Sequence, residues 1–128
     1  MNILFYGSAG NTAAKKLLKT ICMQVPPVKI EKYNEIDSLS ERLRQFSKTP
    51  PIVVILITNL QELSALIAVQ SLLSDIRIII ILPDRKKDTV AKGFKLYPRF
   101  VSYADSDFTD VVAVLGKMLN SKTTLSMA

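Results

Sequence analysis

Histidine and tryptophan are absent from this 128-residue chain, which holds one cysteine and only four glycines. Without histidine there is no Cys/His zinc site and no triad with an imidazole base. One cysteine leaves no disulfide framework. Aspartate and glutamate are missing from two long stretches, residues 1–30 and 42–61. The apolar runs are too short to cross a bilayer, and Met1 leads into a strand-like pattern instead of the charged start of a secretory signal. The expectation is a reduced, cytoplasmic, globular domain.

What is present suits one domain: 128 residues, 48% of them hydrophobic, are enough for a core without staples. Seventeen basic residues face eleven acidic ones, a net charge of +6. That balance favours an acidic partner. No dense Lys/Arg tract and no basic motif interleaved with aromatics occurs, so neither specific nucleic-acid binding nor a membrane surface is expected.

Two periodicities alternate along the chain. Ile3-Leu4-Phe5-Tyr6 reads as a buried strand ending at Gly7. From Asn11, the residues Ala13, Ala14, Leu17, Leu18, Ile21 and Cys22 recur at helical spacing, which puts Cys22 on the inward stripe. Pro26-Pro27 stops that helix, and the segment at 28–33 alternates with period two. Ile36, Leu39, Leu43 and Phe46 mark a second helix, with Ser38 and Glu41 at capping-box spacing.

After Pro50-Pro51, residues 52–57 form a continuous β-branched run of the kind covered on both faces. Asn59 with Glu62 has the spacing to cap a helix carrying Leu63, Leu66, Ile67 and Leu73. Residues 78–82 repeat the doubly buried pattern. A weaker helix follows, with Val90, Ala91, Phe94 and Tyr97 inward and Gly93 counting against it. Residues 99–103 form the last, alternating strand. Phe108, Val111, Val112, Leu115, Met118 and Leu119 stripe the final helix, and 121–128 read as a flexible tail or the start of a linker after a domain of residues 1–120.

Five strands alternating with five helices call for right-handed crossovers and a single parallel sheet with helices on both faces. The continuous apolar strands belong in its middle and the alternating ones at its edges. Strand order 2-1-3-4-5, the flavodoxin-like doubly wound α/β arrangement, meets that requirement. Ligands of such sheets bind beyond the carboxyl ends of the strands, at the switch point between strands 1 and 3.

In element order, spacing and size the chain resembles the receiver domain of bacterial two-component response regulators. That resemblance implies carboxylates after strand 1 to hold Mg²⁺, an Asp ending strand 3 to accept phosphorus, a Ser/Thr ending strand 4 and a Lys ending strand 5. Here strand 1 and its loop have no acid, and the acceptor position falls among Leu56, Ile57 and Thr58. The Ser/Thr position falls at Leu82 or Pro83, and the Lys position near Tyr103. Mg²⁺ requires hard oxygen ligands, and the transfer requires a carboxylate beside it. The expectation is therefore a degenerate receiver without phosphoacceptor, metal, cofactor or catalytic residue, acting through protein–protein contact. A phosphate ester on Thr58 is conceivable, but nothing in the sequence is expected to activate the hydroxyl.

The loop Gly7-Ser8-Ala9-Gly10-Asn11-Thr12 resembles the FMN phosphate loop of flavodoxins. That resemblance implies an alternative, in which Gly7, Ser8, Gly10, Asn11 and Thr12 hold FMN or another phosphate-bearing ligand at a helix N-terminus. The loop is one residue shorter than that pattern, and no aromatic follows strands 3 or 4 to sandwich a flavin. Turn formation and capping by Asn11 or Thr12 account for the same letters. Capping and turns also account for Asp84, Asp105 and Asp107, with Asp105 or Ser106 placed to cap the fifth helix.

Arg85, Lys86, Lys87, Lys92, Lys95 and Arg99 cluster within the fourth helix and its flanks, offset by Asp84 and Asp88, with Tyr97 and Phe100 beside them. A basic rim with exposed aromatics suits an acidic protein surface. On the receiver resemblance this is the face of helix 4, strand 5 and helix 5, through which a homodimer also forms.

Overall fold

In the computed structural model the backbone is described for residues 2–7, 11–24, 29–45, 51–74 and 76–127, and the side chains of the same residues except Asn2 and 120–127. Ser8, Ala9, Gly10, Pro26, Pro27, Val28, Phe46 and Pro50 therefore lie outside the described residues. The elements follow in strict alternation. They are β1 (Asn2–Tyr6), α1 (Thr12–Gln24), β2 (Lys29–Tyr33), α2 (Ile36–Leu43), β3 (Ile52–Leu56) and α3 (Leu60–Ala68). A 3₁₀ turn (Gln70–Leu73) precedes β4 (Arg77–Leu82), α4 (Lys87–Phe94), β5 (Phe100–Tyr103) and α5 (Thr109–Met127). The span of α5 takes in 121–127, the stretch that sequence alone reads as a tail.

All strand pairs are parallel, and the order is β2-β1-β3-β4-β5. This is the flavodoxin-like doubly wound sheet. The strands' side-chain period of two divides the core into two layers. Ile3, Phe5, Val54, Leu56, Ile79 and Ile81 pack with Leu17 and Ile21 of α1 and with Phe108, Val111 and Leu115 on the α5 side. Leu4, Tyr6, Val53, Ile55, Ile78 and Ile80 pack against Leu39 of α2, Leu63 and Leu66 of α3, and Leu96 after α4. Every residue of β3 is buried, as is β4 beyond Arg77. Edge strand β2 has two fully exposed positions, Lys29 and Lys32. Double coverage of the middle strands is what their unbroken apolar runs require.

Local differences from the sequence reading have specific causes. Cys22 is exposed: the buried stripe of α1 is Ala14, Leu17 and Ile21, and Cys22 is one residue past it in the last turn. The Ser38–Glu41 box does not start α2, because the helix opens at Ile36 directly behind β2, with Glu35 in the N-cap position and no side-chain cap. Leu73 is buried but not on α3, which ends at Ala68 and hands over to the 3₁₀ turn.

The fourth helix is rotated from the expected phase. Thr89 and Gly93 face in, whereas Ala91 and Phe94 are exposed. Gly93 sets this rotation: a Cβ there would lie 3.2 Å from both Leu82 Cδ atoms, so α4 meets β4 through its one residue without a side chain. The position that counted against the helix is its contact with the sheet. Phe94 is left 54% exposed and Tyr97 86% exposed. Tyr97 also takes a left-handed backbone, with φ of 51°. For an L-residue that region costs about 1–2 kcal/mol.

Phe108, with φ of 65°, is the other left-handed residue, and its ring is fully buried before α5. Its N–H donates to Ser106 Oγ at 2.9 Å.

Ile80→Asp should abolish the cooperative unfolding transition, since an unpaired charge in a fully buried strand costs more than the domain's entire stability of roughly 5–15 kcal/mol. Phe94→Ser should shift the midpoint by less than about 1 kcal/mol, because that ring is on the outward side of α4. Chemical denaturation followed by circular dichroism compares the two; an equally damaging Phe94→Ser would restore the inward phase.

Candidate functional site

The carboxyl ends of β1 and β3 meet at the switch point of the sheet, and a polar cluster lies there. Tyr6, the last residue of β1, is 3% exposed and donates from its hydroxyl to Glu62 Oε2 at 2.6 Å. Glu62 comes from the first turn of α3. Its other oxygen accepts from the Thr58 amide at 3.0 Å and from the Thr58 hydroxyl. A carboxylate offers about four acceptor positions, and three are taken here. Glu62 is a clamp joining β1, the β3–α3 turn and α3.

Asn59 starts α3 as expected, its side chain accepting from the Glu62 amide at 2.9 Å. The reciprocal bond of a capping box goes to Thr58 instead of Asn59. Thr58 thus has a carboxylate acceptor after all, contrary to the reading from its sequence neighbours. That carboxylate is already committed to Tyr6. Burial first, and then the Glu62 carboxylate, raise the Tyr6 phenol well above its usual range.

Around the rest of the mouth each acid is occupied. Asp84 Oδ1 accepts from the Lys86 amide at 2.9 Å, which with the Thr89 side chain holds its carboxyl below the usual range. Asp105 pairs with Arg85 at 2.6 Å instead of capping α5, and that guanidinium lowers the carboxyl in turn. The Arg85 guanidinium also stacks 4.2 Å from the centre of the Tyr103 ring. Start-of-helix duties fall to Ser106, which accepts from the Phe108 amide, and Asp107, which accepts from the Thr109 amide at 3.0 Å. Among the described residues no group of three or more His, Cys, Asp or Glu side chains converges as a metal site would need.

Of the Gly7–Thr12 loop, Ser8 and Gly10 lie outside the described residues. Gly7 donates its N–H to the Tyr33 carbonyl at 3.0 Å, extending the β1–β2 ladder, and its missing side chain admits Phe5 and Ala14. The Asn11 side chain caps α1 by accepting from the Ala14 amide at 2.9 Å. Thr12 is the exposed first residue of α1.

The basic residues of α4 and its flanks separate into groups. Arg85 is tied to Tyr103 and Asp105. Lys92 leans toward α3, 3.4 Å from Ser64 Oγ. Lys86 and Lys87 are exposed at the start of α4, Lys95 at its end, and Arg99 just before β5. Phe100 is half-buried in the layer of α1 and α5, on the opposite side of the sheet from α4. The outward side of α4 presents Lys87, Ala91, Phe94 and Lys95 at positions i, i+4, i+7 and i+8, running on to Tyr97. Lys86, Lys87 and Lys95 form no ion pair among the described residues.

Fold and site together define a flavodoxin-like α/β domain in which Tyr6, Thr58 and Glu62 are joined by hydrogen bonds where the carboxyl ends of β1 and β3 meet. No protein-family model, no curated protein and no solved structure matches the chain. Among the described residues no helix is long and apolar enough to cross a membrane.

Tyr6→Phe should cost about 1.5–3 kcal/mol at neutral pH by removing a bond to a charged acceptor. Because folding raises this phenol above its ordinary value of 10.0, its contribution is complete below pH 10 and is lost as pH rises beyond it. Tyr33, raised by burial and by Glu31, acts in the same direction. Urea denaturation at pH 7.5 and 10.8 should show a smaller alkaline loss in Tyr6→Phe than in the wild type; equal losses would remove Tyr6 from the account.

Proposed function

We propose that the domain is a receiver-like regulatory module that works without aspartyl phosphorylation, by docking an acidic protein surface on the outward side of α4. The observation carrying this reading is the stripe from Lys87 through Ala91, Phe94 and Lys95 to Tyr97. Its cations form no ion pair among the described residues, and its two aromatic rings are 54% and 86% exposed. Exposed aromatics framed by like charges are costly to keep in water, and they suit an interface with a complementary potential.

The strand ends support the phosphorylation-independent half of the reading. Where a phosphorylated receiver has metal-binding acids, an acceptor Asp, a Ser/Thr and a Lys, this chain has Tyr6 and Gly7, Ile57 and Thr58, Pro83, and Tyr103 and Ala104. Glu62, the carboxylate nearest the acceptor position, is spent on Tyr6 and Thr58. Phosphorylation of a carboxylate, as in receivers, needs that carboxylate free and beside a cation.

Two measurements test the proposal. Mg²⁺ with beryllofluoride should leave the melting curve unchanged, and a clear upward shift would overturn the phosphorylation-independent reading. In the triple variant Lys86→Glu, Lys87→Glu, Lys95→Glu, the first two changes suit the N-terminal dipole of α4 and the third opposes its C-terminal end, so stability should move by less than about 1 kcal/mol. Partners captured from the source cell by wild type should bind the variant about tenfold more weakly or worse. An unchanged set of partners at unchanged affinity would discard the α4 surface.

A further inference from the structure

At the amino-terminal end of the sheet, far along α4 from the switch point, a cavity of about 230 Å³ opens between the 3₁₀ turn and the end of the helix. Its floor is apolar: Leu73, Ile76 and Leu96. Ser71, Lys95 and Tyr97 stand on its rim, and among the described residues Lys95 is the charged one of the lining side chains. We propose that this cavity is an anchor pocket for one large apolar side chain of an extended acidic segment in a partner protein. The proposal rests on the reading of α4 given above and adds the place where that partner is gripped.

Size selects the occupant. Drug-sized ligands and cofactors occupy roughly 300–1,000 Å³, so this cavity suits a single leucine- or phenylalanine-sized group. Buried anchors of that kind, ringed by weaker polar contacts, carry most of the energy of protein interfaces.

Charge selects its surroundings. Lys95 borders the cavity, Lys86 and Lys87 lie at the far end of the same helix, and Arg99 is exposed just beyond Tyr97. From Lys87 to Lys95 is eight helical steps, roughly 12 Å at about 1.5 Å each. An extended chain covers that in about four residues at about 3.3 Å each. The recognised segment therefore has an apolar residue about four positions from an acidic group.

Tyr97 gives the second, independent observation. Its left-handed backbone is a place where glycine would sit without strain, yet the chain keeps a tyrosine there with most of its ring in solvent, at the rim of the cavity. With 86% of its surface in solvent, the residue gains little from burial to offset that backbone cost. Its place on the rim is that of a wall closing over an inserted side chain.

The probes are fluorescein-labelled dodecapeptides carrying an Asp/Glu cluster, a Ser/Gly spacer of two, four or six residues, and then Leu or, as control, Ser. Binding to the full chain is read by fluorescence anisotropy at low salt. The Leu peptide with the spacer of four should bind wild type about tenfold more tightly than its Ser control. Ser71→Trp, which fills the cavity from its exposed rim, and Tyr97→Gly should erase that difference, and Tyr97→Gly should melt no lower than wild type. Lys86→Glu with Lys87→Glu should weaken Leu and Ser peptides alike. If Leu and Ser peptides bind equally and the charge reversal weakens both, the anchor pocket is overturned and acidic docking on α4 stands. If no peptide binds, both fall. A difference that survives Ser71→Trp also overturns the pocket.

Discussion

Two of the three interior strands, β3 and β4, must be shut away from water on both sides, and nearly everything else in the domain answers to that requirement. Residues 52–57 and 78–82 contain no polar side chain and are buried throughout. A sheet with such a centre needs helices on both faces, so the chain must cross over between successive strands, and the right-handed crossover fixes the doubly wound order. The helices are held less by their own propensities than by stripes that match the pleat beneath them. Where a stripe is narrow, as in α4, the sheet chooses the helix's rotation.

That choice has the largest effect on the surface the domain presents. Contact through Gly93 against Leu82 turns Thr89 inward and Phe94 outward, and the cations of α4 follow the outward side. A helix docked on Ala91 and Phe94 would have buried the aromatic that now faces solvent. The exposed stripe proposed for docking is thus a consequence of one backbone-to-side-chain approach between α4 and β4.

The architecture was legible because its signals are long: unbroken apolar runs for the covered strands, alternation at 28–33 and 99–103 for the edges, and helical stripes such as Phe108 to Leu115. Asn59 and Asn11 could be read as caps because a cap and its amide are three residues apart. The misreadings were local choices between neighbouring positions. In α4 the period was right and the phase was one residue out, because hydropathy ranks Phe94 above Gly93 while the sheet requires the smaller. Cys22 was drawn inward by its neighbour Ile21. The centre of the site was hidden for a different reason: Tyr6 and Glu62 are 56 residues apart, and no spacing rule links a strand's last residue to a carboxylate one crossover pair away.

Glu62 also ties the ends of β1 and β3 to each other. A group that displaced Glu62 would have to break three hydrogen bonds to one carboxylate together and leave the hydroxyl of Tyr6, a residue 3% exposed, without its acceptor. Each abandoned partner exacts a desolvation penalty of about 1–3 kcal/mol. Where the ends of β1 and β3 meet α3, the domain is thus braced from within, like a socket moulded around its own pin.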